Sequence, residues 1–129
     1  MKIGIYNQSC GGIGGSEFCA AVLAEACSKQ HEVVILHHHE HLTKEQLEQF
    51  FSVTLGGTTL RYFPWESFPG AQTRLPWRRY RASREFYQEL SEPFDVFVAL
   101  VHQAPPFCHA RRGVLVVLFP FFDRPNAWP

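Results

Sequence analysis

The chain has 129 residues, which corresponds to one domain at about 150 residues per domain. Apolar residues make up 46% and charged residues 19%, a composition too hydrophobic for an intrinsically disordered chain. Twelve basic and twelve acidic residues leave a net charge of zero, which argues against a general nucleic-acid binder held by a basic face. A disulfide miniprotein and a multidomain enzyme are both excluded, and one globular domain is predicted.

The charges are distributed unevenly along the chain. Residues 1–60 carry three lysines and six acids, a net charge of −3, whereas residues 61–129 carry nine arginines and six acids, a net charge of +3. A site that binds anions through side-chain charge is therefore expected in the second half.

The cysteines and the amino-terminal residues indicate the cellular compartment. The cysteines form no CxxC pair, which is typical of reduced thiols in a cytosolic protein; they are Cys10, Cys19, Cys27 and Cys108. The apolar run in Met1–Tyr6 is too short for a signal peptide, and no stretch approaches the roughly 18 apolar residues of a membrane span. We expect a cytoplasmic protein that could also bind peripherally at the membrane.

The first 37 residues predict a strand, a loop, a helix and a second strand. The apolar residues of Ile3–Tyr6 indicate a short buried strand, and Gly11-Gly-Ile-Gly-Gly15 then requires a loop. An Ala-rich helix is expected over residues 17–29, with Glu17 complementing the positive end of its dipole. One face of this helix is shared by Phe18, Val22 and Ala26. The unbroken run Val33–Leu36 suits a parallel strand covered on both faces, as in a doubly wound α/β domain.

The middle of the chain continues the alternation. Thr43 and Gln46 form a predicted capping box for a short helix over residues 44–51. Residues 52–63 are expected to form either a strand or a hairpin. The Pro-rich and aromatic-rich stretch 64–77 is predicted to be an irregular loop.

The last third of the chain predicts a helix over residues 78–91 and two buried strands over residues 96–101 and 114–119. Packing positions on this helix are Tyr80, Phe86, Tyr87 and Leu90. No helix is predicted after the last strand. The expected fold is a single α/β domain over residues 1–129, a Rossmann-like parallel sheet with helices on both faces, incomplete at its carboxyl end.

The glycine-rich loop is the first candidate site. Glycines between a strand and a helix let backbone N–H groups approach a phosphate, and the helix N-terminus adds favourable partial charge. The dinucleotide fingerprint is only half present, because Glu17 stands at its third glycine and the second strand ends in His37 rather than an acid. A phosphate-facing loop is preferred over a tight turn without a ligand, because four of the five residues 11–15 are glycine.

These residues resemble the opening of family 4 (group 1) retaining glycosyltransferases, whose GT-B fold combines two Rossmann-like domains. The likeness lies in Met1–Tyr6, in the loop Gly11-Gly-Ile-Gly-Gly-Ser-Glu17 and its helix, and in His31-Glu-Val-Val34. It extends to residues 94–98 and 116–120, which look like the fourth and fifth strands of that family. Leu118 departs from the pattern, because the family often has a histidine there.

The resemblance implies the amino-terminal, acceptor-side half of a GT-B enzyme that transfers a hexose, with retention, from a nucleotide-sugar to a carbohydrate or lipid-linked acceptor. The nucleotide-sugar is a substrate, and no cofactor is implied. The residues that would lie against the donor phosphates are Gly12, Gly14, Gly15 and Ser16. The second, donor-binding domain is not within these residues, so the chain alone is expected to be inactive, and no catalytic residue is assigned.

Two other interpretations remain open. The chain could be a non-catalytic nucleotide-binding or anion-binding Rossmann module that works with a partner subunit. It could also belong to a dinucleotide-dependent reductase, which would bind nicotinamide.

Two histidines are candidates for a cleft. His37 and His102 follow the second and fourth strands, and sites in α/β sheets form at the carboxyl ends of strands. The run His37-His-His-Glu-His41 contains metal-ligating side chains. Neighbouring side chains of a strand point to opposite faces, however, and no distant ligand completes a geometry, so no metal site is predicted.

Five of the nine arginines lie within eleven residues and form what we call the arginine cluster: Arg74, Arg78, Arg79, Arg81 and Arg84. Trp77 and Tyr80 lie among them, and the spacing of three from Arg78 to Arg81 and from Arg81 to Arg84 predicts a basic stripe on a helix. Three interpretations remain open. The stripe could be a solvated face balanced by Glu85 and Glu89, a surface for a phosphorylated acceptor or an anionic membrane, or an RNA-binding surface.

Overall fold

A computed structural model describes residues 1–8, 14–64, 74–101 and 107–117. Five strands and three helices alternate along these residues: β1 (Lys2–Asn7), α1 (Gly15–Ser28), β2 (Glu32–His37), α2 (Lys44–Phe51), β3 (Thr58–Tyr62), α3 (Pro76–Ser91), β4 (Val96–Leu100) and β5 (Arg112–Val116). The strands form one parallel sheet in the order β3-β2-β1-β4-β5. The predicted Rossmann-like α/β fold is therefore confirmed.

Each face of the sheet has its own core. On one face, Ile5 and Ile35 pack against the alanines of α1 and against Leu47 of α2. The buried positions of α1 include Ala20, Ala21 and Ala24, whose small side chains let the helix lie close to the strands. The exposed side of this helix is shared by Phe18, Val22 and Ala26.

The other face carries an aromatic core under α3. Tyr6, Leu36 and Phe97 of the sheet pack against the carboxyl-terminal half of the helix, which contributes Phe86, Tyr87 and Leu90. Gly4 is required in β1 because a Cβ there would lie only 2.6 Å from the ring of Phe94. The Phe94 ring thus covers the backbone of the central strand.

Local signals explain where two helices begin. In α2 the Thr43 hydroxyl accepts from the Gln46 amide at 3.3 Å and the Gln46 side chain accepts from the Thr43 amide at 3.0 Å, so the predicted capping box is confirmed. Helix α3 begins at Pro76, inside the stretch predicted as a loop. A proline at the first helical position has no N–H to leave unpaired, and its fixed φ suits the first turn.

Two strands differ from the prediction. Residues 58–62 form a single strand parallel to β2, so the hairpin alternative is wrong. Strand β5 begins at Arg112, and it is exposed rather than buried, with Val114 and Leu115 at 47% and 43% exposure. The reason is its place at the sheet edge, where only β4 pairs with it and no described helix covers it. The predicted residues 118 and 119 and the last ten residues lie outside the described ranges.

The segment before β5 is attached to the end of α3. The Ser91 hydroxyl donates to the carbonyl of Tyr87 at 2.5 Å and accepts from the amide of His109 at 2.8 Å. One buried serine thus connects the helix with the chain that leads into the edge strand.

Three cysteines lie within the described ranges and are free thiols, namely Cys19, Cys27 and Cys108, whereas Cys10 lies outside them. None of the helices in the described ranges combines the length and the apolar character that crossing a lipid bilayer requires.

Candidate functional site

The candidate site lies at the carboxyl edge of the sheet. Because all five strands are parallel, their carboxyl ends share one edge. From this edge β1 continues into α1 on one face, whereas β4, its other neighbour, is reached through α3 on the opposite face. The sheet order therefore reverses between β1 and β4, and doubly wound sheets bind their ligands beside such a switch point.

The start of α1 offers backbone donors at this edge. Gly14 is the N-cap in extended conformation, and its carbonyl accepts the first helical bond from the Phe18 amide at 3.1 Å. The amides of Gly15, Ser16 and Glu17 precede that bond and therefore have no helical acceptor. A Cβ added at Gly15 would meet no atom within 4 Å, so the space on the side-chain position of this residue is open. These features suit an anion.

Glu17 changes the electrostatics of this helix start. Its side chain is only 5% exposed, and its Oε2 accepts from the Ser16 hydroxyl at 3.1 Å. The same oxygen would lie 2.7 Å from a Cβ on Gly14, so the carboxylate folds back over the N-cap. A negative charge there is stabilised by the helix dipole and repels a second anion.

Buried polar side chains underlie the same part of the edge. Asn7 and His37 follow the inward-facing Ile5 and Ile35 by two residues, so both lie on the α1 face of the sheet. Both are buried, and His37 is 2% exposed. The predicted cleft residue His37 therefore lies beneath the surface rather than lining it.

His37 is neutral at physiological pH. Its Nδ1 accepts from the His39 amide at 3.2 Å, which places the proton of the neutral ring on Nε2. Burial, together with the nearby His38, lowers the pKa of His37 from 6.5 to about 4. This edge of the α1 face thus offers uncharged hydrogen-bonding groups beside one carboxylate.

The opposite face holds a hydrogen-bonded network around His38. Its Nδ1 lies 2.9 Å from the carbonyl of Phe63, which can only accept, so Nδ1 carries the proton. Its Nε2, 2.9 Å from the Tyr6 hydroxyl, therefore accepts. The Tyr6 hydroxyl also bonds with Tyr87, and burial raises the pKa of Tyr87 to about 12. Burial lowers the pKa of His38, so the network is uncharged.

Sequence reasoning assigned Tyr6 and Tyr87 to packing alone and missed this network. One signal could have found it: Tyr6 and His38 fall on the same face of two adjacent strands, since Tyr6 pairs with Leu36, two residues before His38. Tyr87 carried no such signal, because its contact with Tyr6 depends on how α3 packs.

The arginine cluster lies at the amino end of α3, and all five side chains are exposed. Among the described residues one ion pair involves the cluster, between Arg81 and Glu85 at 3.3 Å, while Glu89 forms none. The guanidinium of Arg78 lies 5.0 Å from the centre of the Trp77 ring, and Trp77 is 62% exposed. Of the two acids predicted to balance the arginine cluster, Glu85 forms an ion pair with it among the described residues and Glu89 does not.

The remaining predicted site residues, Gly12, His102 and Leu118, lie outside the described ranges. Within those ranges no three His, Cys, Asp or Glu side chains come together in a way that would hold a metal ion. An open groove of about 370 Å³ is lined by Gln46, Gln49 and Phe50 of α2 and by none of the described site residues.

The described candidate site thus consists of the start of α1 with its buried carboxylate and of an uncharged polar layer below it. On the opposite face, a basic surface begins at the same edge. No protein-family model, curated protein or solved structure matches this chain.

Proposed function

We propose that this chain is the amino-terminal, acceptor-side domain of a retaining glycosyltransferase that transfers a hexose from a nucleotide-sugar to a carbohydrate or lipid-linked acceptor. The observation that carries the proposal is the start of α1, where the amides of Gly15 and Ser16 lack helical partners at the carboxyl edge. The resemblance of Gly11–Glu17 to the family loop supports it, and so does the strand order of the sheet.

The amides would act on the leaving group. When the bond between the hexose and the diphosphate breaks, negative charge develops on the departing phosphate oxygen. Fixed backbone N–H donors stabilise that charge without reorganising. Glu17 restricts the diphosphate to the Gly15 side of the helix start, because two negative charges repel at short distance.

Calorimetry with uridine diphosphate and with inorganic pyrophosphate tests the anion site. In Gly15→Asp a carboxylate stands at the first helical position, where it favours the helix and occupies the place of the ligand. We expect the fold to persist and the diphosphate affinity to fall at least about tenfold, the equivalent of ~1.4 kcal/mol. Gly56→Asp is the matched control, because an added Cβ also meets nothing in that exposed turn.

A second variant tests how the charge of Glu17 affects diphosphate affinity without changing the size of its side chain. Glu17→Gln keeps the size of the side chain but removes its negative charge, so diphosphate affinity should rise several-fold. No measurable binding by the unaltered chain, or equal affinities for the Gly15→Asp and Gly56→Asp variants, would contradict the proposal.

Sugar transfer distinguishes the transferase from an anion-binding module. Extending the reading frame beyond Pro129 should reveal a second α/β domain with an E-x7-E motif, and the two domains together should give a product with retained anomeric configuration. A stop codon would count against the transferase, and an inverted product would contradict the proposed retention of configuration. Robust turnover by the 129 residues alone would contradict the need for a second domain.

A further inference from the structure

The helices on the two faces of the sheet each expose aromatic side chains that the fold does not bury. On α3 we call this surface the basic-aromatic face; it shares one side of the helix at the spacing i, i+3, i+4 and i+7 and consists of Trp77, Tyr80, Arg81 and Arg84. Trp77 and Tyr80 are 62% and 59% exposed. The buried residues of α3 begin only at Phe86, so its packing onto the sheet leaves this face open.

A second exposed aromatic surface lies on α1 and α2, on the opposite face of the sheet. We call it the acidic-aromatic face; it consists of Phe18 and Val22 of α1 and of Glu45, Gln46, Gln49 and Phe50 of α2. The side chains of Phe18 and Phe50 are 50% and 55% exposed, and both rings contact that of Phe51, with centres 5.7 Å and 5.9 Å away. The aromatic surface is thus continuous from one helix to the other, and exposed apolar patches often mark interaction sites.

A groove beside Phe50 makes part of the acidic-aromatic face concave. It has a volume of about 370 Å³ and is lined by Gln46, Gln49 and Phe50. This volume is within the range of pockets that enclose small ligands, so the groove can admit one aromatic side chain. Glu45 precedes Gln49 by four residues and therefore lies on the same side of α2 as the groove. The groove thus combines an apolar wall with side-chain amides and a neighbouring carboxylate.

The two faces carry opposite charge. The first turn of α3 contains no acid, and among the described residues of the basic-aromatic face only Arg81 has an ion-pair partner, Glu85. Helix α2 carries two acids and one lysine, and this lysine, Lys44, donates to the carbonyl of Gly56 at 2.9 Å rather than pairing with Glu45. A positive aromatic surface therefore lies on one face of the sheet, and a negative one with a groove lies on the other.

We propose that the basic-aromatic face of one copy of this chain docks on the acidic-aromatic face of a second copy. The ring of Trp77 would enter the groove beside Phe50, and the guanidinium groups of Arg81 and Arg84 would face Glu45. Tryptophan, tyrosine and arginine are the residue types that most often dominate the binding energy of protein interfaces. Opposite charge on the two surfaces favours their encounter and fixes their orientation. A second copy fits both faces, because each face carries the charge and the shape that the other lacks.

The position of the two faces determines how copies would assemble. The faces cannot meet within one chain, because the sheet separates them. A contact between different surfaces of two copies is heterologous, so a pair of copies still offers one unoccupied face at either end. Association therefore proceeds to longer chains or closed rings. This inference rests on the two faces alone and does not require the proposed transferase.

Sedimentation velocity on the unaltered chain gives the first test. We expect the weight-average mass to rise with protein concentration above the 14.8 kDa of one chain. The rise should become smaller as the salt concentration increases, because salt screens exposed charges. Tryptophan emission should shift to shorter wavelength as the copies associate, and Trp77→Phe should abolish this shift, because the ring at this position leaves water for the groove.

Two double variants each alter one face. Trp77→Ala combined with Arg84→Glu alters the basic-aromatic face, and Gln49→Arg combined with Glu45→Gln alters the groove at exposed positions of α2. Each variant alone should associate at least about tenfold more weakly than the unaltered chain. When the two variants are mixed in equal amounts, they should form a dimer and nothing larger, because each supplies the intact face that the other lacks.

A control variant makes the same charge change away from both faces. Gln30→Arg combined with Glu32→Gln alters exposed positions at the amino edge of the sheet. The ion pair that Glu32 forms with Lys2 is exposed and contributes little to stability, so the fold should persist. This variant should associate like the unaltered chain. Circular dichroism and thermal melting confirm that each variant folds, and the concentration and salt dependence of the unaltered chain need no variant.

Several outcomes would overturn the proposal. A mass that remains that of one chain up to about 1 mM would do so and would mean that the faces serve a different partner. Unchanged association of the variant Gln49→Arg with Glu45→Gln would show that copies do not pair through the groove. Failure of the mixed variants to form a dimer, or equal weakening in the control variant, would contradict the assignment of the two faces. Diphosphate affinity should be the same in all these variants, so failure here remains distinguishable from failure of the anion site at α1.

Discussion

The starts of α1 and α3 lie at the same edge of one sheet, but the side chains in their first turns carry opposite charges. The third helical residue is a buried glutamate in α1, Glu17, and an exposed arginine in α3, Arg78. The carboxylate of Glu17 matches the positive end of its helix dipole, whereas the guanidinium of Arg78 opposes it. The start of α1 thus carries a compensating acid within the chain, whereas the first turn of α3 contains none.

The two helix starts also differ in how they are packed. The side chains that α3 buries in the aromatic core all lie in its second half. Packing therefore does not determine which side chains the first turns carry. The arginines there lower the stability of the helix, so packing does not explain their presence. The start of α1, by contrast, combines a stabilising charge with open backbone donors.

Truncation of a leucine at each end of α3 should give the largest contrast. Leu90 is fully buried, so Leu90→Ala removes apolar contacts and leaves a cavity, and we expect a loss of about 2–5 kcal/mol in the free energy of unfolding. Leu75→Ala, at the exposed start, should change it by less than about 0.5 kcal/mol. Urea denaturation measures both values. Similar losses at the two positions would show that the first turns are also packed.

The α1 side should respond to pH through His37. Its pKa is about 4 in the folded chain and 6.5 when unfolded, so the unfolded state takes up the proton first as the pH falls. Stability is therefore highest above pH 6.5 and declines towards pH 4, by about 2 kcal/mol between about pH 7 and pH 5. His37→Gln should flatten this dependence, whereas His41→Gln, at an exposed position, should not. Unfolding midpoints in urea at the two pH values provide the test.

Changing the charge of Arg78, the third residue of α3, should have the smallest effect on the free energy of unfolding. Arg78→Glu should raise the free energy of unfolding by about 0.3–1 kcal/mol, and Arg78→Gln by less, because an acid near a helix N-terminus is favourable. Thermal melting resolves this order. An Arg78→Glu variant that was less stable than the unaltered chain would contradict the comparison between the two helices.

Local sequence signals were sufficient for much of the fold. The apolar runs of β1, β2 and β4 and the capping box of Thr43 and Gln46 depend on neighbouring residues, and the structure confirms them. The direction of β3 was not accessible in this way, because it depends on pairing with β2 across the chain, such as Leu60 with Ile35. The exposure of β5 depends likewise on which elements cover it.

The candidate site was predictable to a smaller extent. The glycines identified the start of α1, and the arginine spacing identified the basic stripe, since both signals are local. The burial of Glu17 and the bond between Tyr6 and His38 arise from tertiary packing. The depressed pKa of His37 has the same origin, because burial is its main cause.

The exposed edge strand β5 also determines how the sheet opens. With its side chains largely in solvent, β5 and the segment before it are held by the ladder to β4 and by contacts such as that of Ser91 with His109. Regions with few buried contacts open locally at low free-energy cost, without global unfolding. Backbone amides of β5 should therefore exchange with deuterium far sooner than those of the central strand β1.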